Sequence, residues 1–411
     1  MSLISYDGRK AIGAYFLIGA ASSVFWKFGV QIVLIEILSV IFTLHLFFNI
    51  SFSRIDSRLN IHVRRSILLL CLWGFTQVFV DLYHGPDLLA RIKTLASIIT
   101  LICLLISGSY LFSSSYNKLQ AFLVGYFLSS VPSFLLFPTE YARSQPWKFC
   151  FGLYATFLLF WIIGKIKLKP YFVVASLTFL VLFDLISNSR SLAVLTLITS
   201  CYTSYNKKLN RPMPVVSAFI ITISILIAGI GSLSLASSGL LGTQVTQKTR
   251  MQSSSGPILL VARSEFLYEI ETIRDKWLFG SGSNPKIDFS TLNKVWIAES
   301  ELGINTKATS AYSTFVSTQT VPEHSMLFTT WVEGGVFAAL FWIYLLIIFL
   351  KWFIWPLDPK HQLNFLCSMM LITGIWSILF SPLGTGSRLQ IAVTLLVGQL
   401  CNSKILKSES Q

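Results

Sequence analysis

The chain predicts an all-α, polytopic integral membrane fold with about 12 transmembrane helices and one long, partly helical polar loop. Three observations carry that expectation. Apolar runs near 20 residues recur along the sequence, the length an α-helix needs to cross hydrocarbon. Only 12% of the 411 residues are charged against 54% hydrophobic, about half the charge of a soluble domain. One stretch, Gly239 to Pro322, breaks the apolar pattern before the runs resume.

The elements follow in order. Runs at 11–26 and 29–50 are separated by one polar residue, Lys27, so the pair also reads as a single kinked or re-entrant unit. Further runs lie at 66–83, 95–112, 119–137, 149–164, 170–187 and 191–205, the last one short. A ninth, 214–238, leads into the loop, and 326–350, 363–381 and 388–403 close the chain. No repeat or soluble domain stands out. Residues 1–411 therefore read as one domain with 239–322 as a loop inside it. Within the loop, Leu259, Leu260, Phe266, Leu267, Ile270, Ile273 and Trp277 recur at helical spacing between Ile258 and Phe279. Arg263, Glu265, Glu269, Glu271 and Arg274 form the opposite, polar face. That is an amphipathic helix suited to the bilayer surface or to covering a cavity. Gly280-Ser281-Gly282-Ser283-Asn284-Pro285 stops it.

Charge sets the orientation. The net charge is +14. With a cytoplasmic N-terminus, the basic groups Arg54, Arg58, Arg64, Arg65, Lys165, Lys167, Lys169, Lys207, Lys208 and Arg211 all fall on the cytoplasmic side. The short external loops are poorer in Lys and Arg, as the positive-inside rule requires. Both termini are then cytoplasmic and the long loop is external, which is periplasmic for a bacterial inner membrane. The N-terminus lacks a small-residue cleavage site, so the first run reads as a retained helix. The six cysteines lie in or beside apolar runs with no CxxC spacing, which argues against a disulfide framework or a zinc site. With no basic domain outside the membrane, nucleic acid is a poor partner; the lipid bilayer is the evident one.

Four polar features gather on the external side: Arg190 opening the eighth run, Arg263 on the loop helix, Glu323-His324 before the tenth, and Arg388 before the twelfth. Converging guanidinium groups suit a diphosphate, because the planar fork binds phosphate oxygens in bidentate fashion and keeps its charge. Each arginine also has a plainer reading as a snorkelling anchor or a helix-surface partner. His324 titrates near neutral pH, and the adjacent Glu323 is placed to orient it. Glu323 and Glu333 are rival bases. His84 is external too; His45 reads as a packing residue within an apolar run, and His62 and His361 fall on the cytoplasmic side. No phosphate-binding glycine loop or HExxH helix occurs, so no nucleotide, metal or other cofactor is expected. The free energy for any transfer would be stored in the substrate.

Three segments resemble the O-antigen ligase and polymerase superfamily. They are Ser187-Asn188-Ser189-Arg190-Ser191, then Arg263 through Trp277-Leu278-Phe279-Gly280-Ser281-Gly282, and finally Glu323-His324-Ser325-Met326-Leu327 followed by Glu333-Gly334-Gly335-Val336. Leu278 stands where proline is common and Ser325 where asparagine is common. The resemblance implies a membrane glycosyltransferase that takes a glycan from undecaprenyl diphosphate on the periplasmic face. The acceptor is a carrier-linked glycan for a polymerase or the lipid A core for a ligase, and a polymerase implies a chain-length regulator protein as a further partner. Carried over, Arg190 and Arg263, with Arg388 beside them, would hold the diphosphate and His324 would activate the acceptor hydroxyl. The two departures favour the polymerase. A polysaccharide-lipid flippase is the rival from another class, although the runs hold few charges beyond Asp184 to line a transport path.

Overall fold

A computed structural model describes residues 6–28, 30–112, 115–166, 169–209, 246–247, 250, 253–257, 261, 263–355 and 362–401. The first helices are α1 (Tyr6–Ala21), α2 (Leu34–Asn49), α3 (Phe52–Asp56), α4 (Ile61–His84) and α5 (Leu88–Phe112). Then come α6 (Tyr116–Leu128), α7 (Ser130–Leu136), α8 (Glu140–Ser144), α9 (Gly152–Lys165), α10 (Pro170–Ile186) and α11 (Arg190–Leu209). The loop contributes α12 (Glu265–Lys276), α13 (Phe289–Glu301) and α14 (Ser310–Thr318), and the chain closes with α15 (Met326–Ile354), α16 (Asn364–Phe380) and α17 (Thr385–Cys401).

Among the described residues, five segments are long and apolar enough to cross a membrane: 61–84, 88–112, 116–136, 147–165 and 326–354. Four more apolar helices are shorter. α11 and α17 fill the predicted eighth and twelfth runs but carry polar side chains inward. Thr196, Thr199, Thr203, Gln390 and Thr394 are all buried. Thr199 and Thr203 satisfy their hydroxyls on carbonyls one turn back, at 2.8 and 2.6 Å. The predicted run 214–238 and His361 lie outside the described residues.

The first two runs are not one kinked helix. Phe25–Phe28 (β1) and Val30–Val33 (β2) form an antiparallel hairpin with Phe25 opposite Val33. The segment is dense in aromatic and β-branched residues, which favour strands and carry no helical-period signal. α1 then returns along α6 through reciprocal glycines: a Cβ on Gly19 would collide with the Phe122 carbonyl, and one on Gly125 with that of Phe16. Small residues let the two backbones approach closely.

The main core lies between α4, α15 and α16. Trp73 packs on Phe341 and Trp342, with ring centroids 6.3 and 6.2 Å away. A second, smaller core sits inside the loop, where Tyr268, Leu292, Val295 and Ala311 meet Val321 and Val332. The loop is thus a folded cap seated on α15. α4 separates two ends of the bundle by ~36 Å. The cap is tied to its last turn, where Asp81 accepts the Ser283 N–H at 2.7 Å and the Ser283 hydroxyl at 2.8 Å. Arg58 and Arg64 are at the opposite end, Arg58 over the Tyr110 ring and Arg64 paired with Asp56 at 3.1 Å.

Candidate functional site

The site forms where the cap meets the start of α15. Ser325 caps that helix: its hydroxyl accepts the Phe328 N–H at 3.2 Å and donates to the Ile378 carbonyl at 3.0 Å. The second bond ties the start of α15 to the last turn of α16 and fixes His324 at the junction. Serine, like asparagine, is a favourable residue at this capping position.

Arg263 stands in the turn just before α12, not on a helix face, and its guanidinium meets Nε2 of His324. It lies over Trp376 and Phe380, 5.7 and 5.5 Å from the ring centroids. Phe266 extends this aromatic shelf, 5.7 Å from Phe380 and 5.3 Å from Phe328. Cation–π contact supports the charge, and among the described residues no carboxylate forms an ion pair with Arg263. Burial lowers the pKa of His324; Glu265 opposes this and Arg263 adds to it. The ring is therefore neutral at pH 7. The guanidinium contact assigns Nε2 as the acceptor and places the ring proton on Nδ1.

Glu265 and Glu269 do not lie on a solvent face. Both are buried, and Glu269 is 0% exposed. Glu265 accepts from the Ser310 hydroxyl at 2.6 Å. Oε1 of Glu269 accepts the His324 backbone N–H at 3.2 Å and the Thr329 hydroxyl at 2.7 Å, while Oε2 is buried without a partner. Burial pushes this carboxyl up to about 8, despite the bonds from Thr329 and His324. A protonated Glu269 thus holds the backbone of His324. The sequence reading places it on the polar face, because helical periodicity alone cannot tell a solvent face from one turned into a hydrogen-bonded cap.

The two glycine-bearing segments interlock. α15 breaks at Gly335 (φ 68°, ψ −164°), which takes Val336 N–H off its own helix. That N–H is shared by the Trp277 and Leu278 carbonyls at 3.0 and 3.2 Å. In return Ser281 and Gly282 donate to the freed carbonyls of Val332 and Glu333 at 2.7 and 2.9 Å. Three polar groups at the break, the Val336 N–H and the Val332 and Glu333 carbonyls, are thus answered from the loop. A Cβ on Gly335 would collide with the Leu278 carbonyl, and one on Gly280 with the Glu333 backbone. Leu278 contributes only its carbonyl here. The Glu333 carboxylate accepts the Asn284 N–H at 2.8 Å and is buried, so it anchors the loop. Glu323 is exposed and lines a shallow recess of about 10 Å³ with Glu333, Pro285 and Val321. It contacts His324 only through the chain, and no bond orients the imidazole from its carboxylate among the described residues. Glu269 holds His324 through its backbone N–H, and the ring itself is met by Arg263.

Arg190 is half-buried at the start of α11. Asn188, at φ 59°, turns the chain between α10 and α11, and Arg190 opens the latter. Twelve residues on, Tyr202 stacks on Phe353 near the end of α15 and bonds the Ile354 carbonyl. Arg190 is therefore ~18 Å along α11 from that contact, whereas the 29 residues of α15 span ~44 Å, so this contact does not bring Arg190 to His324. α11 packs on α16, whose last turn carries Trp376 and Phe380.

Arg388 does not join this group. Its guanidinium is 7% exposed and donates to both carboxylate oxygens of Glu36, at 2.7 and 3.2 Å, and to Ser97 at 2.9 Å. Its charge is already neutralised, and it pins α17 to α2 and α5. Its assignment to a diphosphate is withdrawn. His45 is also not a packing residue; it is exposed and bonds Asn49 at 3.1 Å. Among the described residues no group of three His, Cys, Asp or Glu side chains is placed to hold a metal ion.

No protein-family model matches the chain, no curated protein matches it, and no solved structure matches it.

Proposed function

We propose that the chain is an inner-membrane glycosyltransferase that moves a glycan from undecaprenyl diphosphate to an acceptor sugar at the cap end, most simply as a polysaccharide polymerase. The carrying observation is the pairing of Arg263 with a neutral His324 on an aromatic shelf, with no carboxylate in direct ion-pair contact with the guanidinium among the described residues. A diphosphate competes for the Arg263 donors and is the stronger acceptor, because the bond is charge-assisted. As Arg263 turns to the phosphate, Nε2 of His324 is released to take a proton. The acceptor oxygen then attacks the anomeric carbon. The bond from that carbon to the diphosphate oxygen breaks with its electron pair on the diphosphate, and Arg263 stabilises the leaving charge, with Arg190 as the second guanidinium the sequence proposes for it. The acceptor's proton goes to His324.

The test is transfer by the purified full-length chain in proteoliposomes, with carrier-linked glycan and no ion gradient. Elongated product is expected, and Arg263→Ala or Arg190→Ala should lower the rate by roughly 10²–10³ while protein levels hold. Flipping of the carrier across the bilayer without any new glycosidic bond would replace this reading with a flippase. Full activity in both variants would remove the diphosphate assignment.

A further inference from the structure

A second cavity opens away from Arg263 and His324. It is a cleft of about 180 Å³ between the hairpin strand β2, α7, α8 and the start of α17. Its wall combines hydroxyls, from Ser23, Ser130, Ser133 and Thr139, with the rings of Phe134, Phe137, Phe149 and Tyr154, and it contains no charged side chain. The hydroxyls are organised. Ser23 lies 2.6 Å from the Ser129 hydroxyl and 3.1 Å from that of Tyr154.

The two sides of α7 differ. Ser130 and Ser133 are buried toward the cleft, whereas Val131, Leu135 and Leu136 are 45%, 73% and 61% exposed. The hydrocarbon face of this helix is turned outward and its hydroxyl face inward. A cleft for a lipid tail would have the reverse, since hydroxyls covered by hydrocarbon lose their hydrogen bonds. An anionic group is equally ill-suited. Arg388, next to the lining residues Gly386 and Leu389, is committed to Glu36 and Ser97. Neutral donors and acceptors beside flat aromatic faces match an uncharged sugar, whose hydroxyls hydrogen-bond and whose C–H face stacks on rings.

Connectivity ties this cleft to the site. Phe380, under the Arg263 guanidinium, and Gly386, in the cleft wall, are six residues apart and so at most ~20 Å apart. A short oligosaccharide bridges that span. We propose that the cleft is a sugar subsite holding an uncharged unit of the glycan whose end reacts at His324. This rests on the glycosyltransferase reading.

The experiment uses the full chain in nanodiscs and the host's own glycan released from its carrier by mild acid, which removes the diphosphate. Saturation-transfer NMR measures its affinity. Wild type should bind it. Ser133→Leu and Phe137→Ala should each weaken binding by about tenfold, the worth of one contact, and Ser133→Ala by less, with melting temperatures unchanged. Arg263→Ala should bind the freed glycan as wild type does. No binding by wild type, or equal affinity in both cleft variants, overturns the subsite. So does displacement of the glycan by a sugar-free polyprenyl phosphate, which would mark a lipid channel. If binding follows the cleft variants but wild type makes no glycosidic bond, the sugar subsite stands and the transferase reading fails.

Discussion

Glu269 holds the His324 backbone N–H while its Oε2 is buried without a partner, so its charge state bears on how the cap seats on α15. Its folded pKa of about 8 is above the ordinary 4.5 of an unfolded glutamate. The folded state therefore holds the extra proton. The stabilisation is complete below about 4.5 and is lost as pH rises through about 8, by on the order of a few kcal/mol. We expect the cap to loosen across that window, seen as faster amide exchange at His324, and Glu269→Gln to remove the pH dependence. An unchanged exchange profile in the variant would locate the titration elsewhere. His324 works in the other direction: burial lowers its pKa, so the acid limb of the transfer rate should fall below the ordinary pH 6.5. Its replacement by Ala should cost roughly 10²–10⁴ in rate. Arg263 was legible in the sequence as a polar-face residue of the loop helix, and His324 as a histidine at the mouth of an apolar run. Glu269 was not. Its neighbours Glu265 and Arg274 share its polar spacing, and only the seating of α12 on α15 shows which carboxylate faces inward.

Elements explain why the cap holds its shape. The break at Gly335 and the turn at Gly280 exchange hydrogen bonds, and neither position tolerates a Cβ without moving a backbone. Gly335→Ala also forces a side chain into positive φ, so it should cost on the order of 3 kcal/mol. The loss should appear first as exchange at the Ser281 and Gly282 amides, because those groups answer the broken turn. Normal protection there would show that the loop is held by its apolar core alone. The long helices α4, α5 and α15 were plain from run length. The β1–β2 hairpin was hidden, since a uniformly apolar segment looks the same to a helix and to a strand. The interlock was hidden too. Its two halves lie more than fifty residues apart, and each reads alone as ordinary glycine punctuation.

At the scale of the molecule, charge and distant contacts fix the arrangement. Glu36 and Arg388 are 352 residues apart yet buried together, a pairing that no local pattern encodes. Arg388→Ala leaves Glu36 buried and unpaired, which should destabilise the fold by about 3–5 kcal/mol. Arg388→Met with Glu36→Gln should recover much of that, and the recovered protein should transfer glycan at a near-normal rate if Arg388 only holds the helices together. The distribution of charge carries the expectation for sidedness. The exposed end of α14 belongs to the cap, while Arg54, Arg58 and Arg64 gather ~36 Å away at the far end of α4. Positive charge favours the cytoplasmic side by about 1 kcal/mol per residue near an anionic surface. In a cysteine-free background, Ser317→Cys on the cap should therefore react with an impermeant maleimide added to intact spheroplasts, and Ser53→Cys should react only after lysis. The opposite pattern would put the cap in the cytoplasm, out of reach of a periplasmic carrier-linked glycan, and Arg263 and His324 would then need a cytoplasmic substrate.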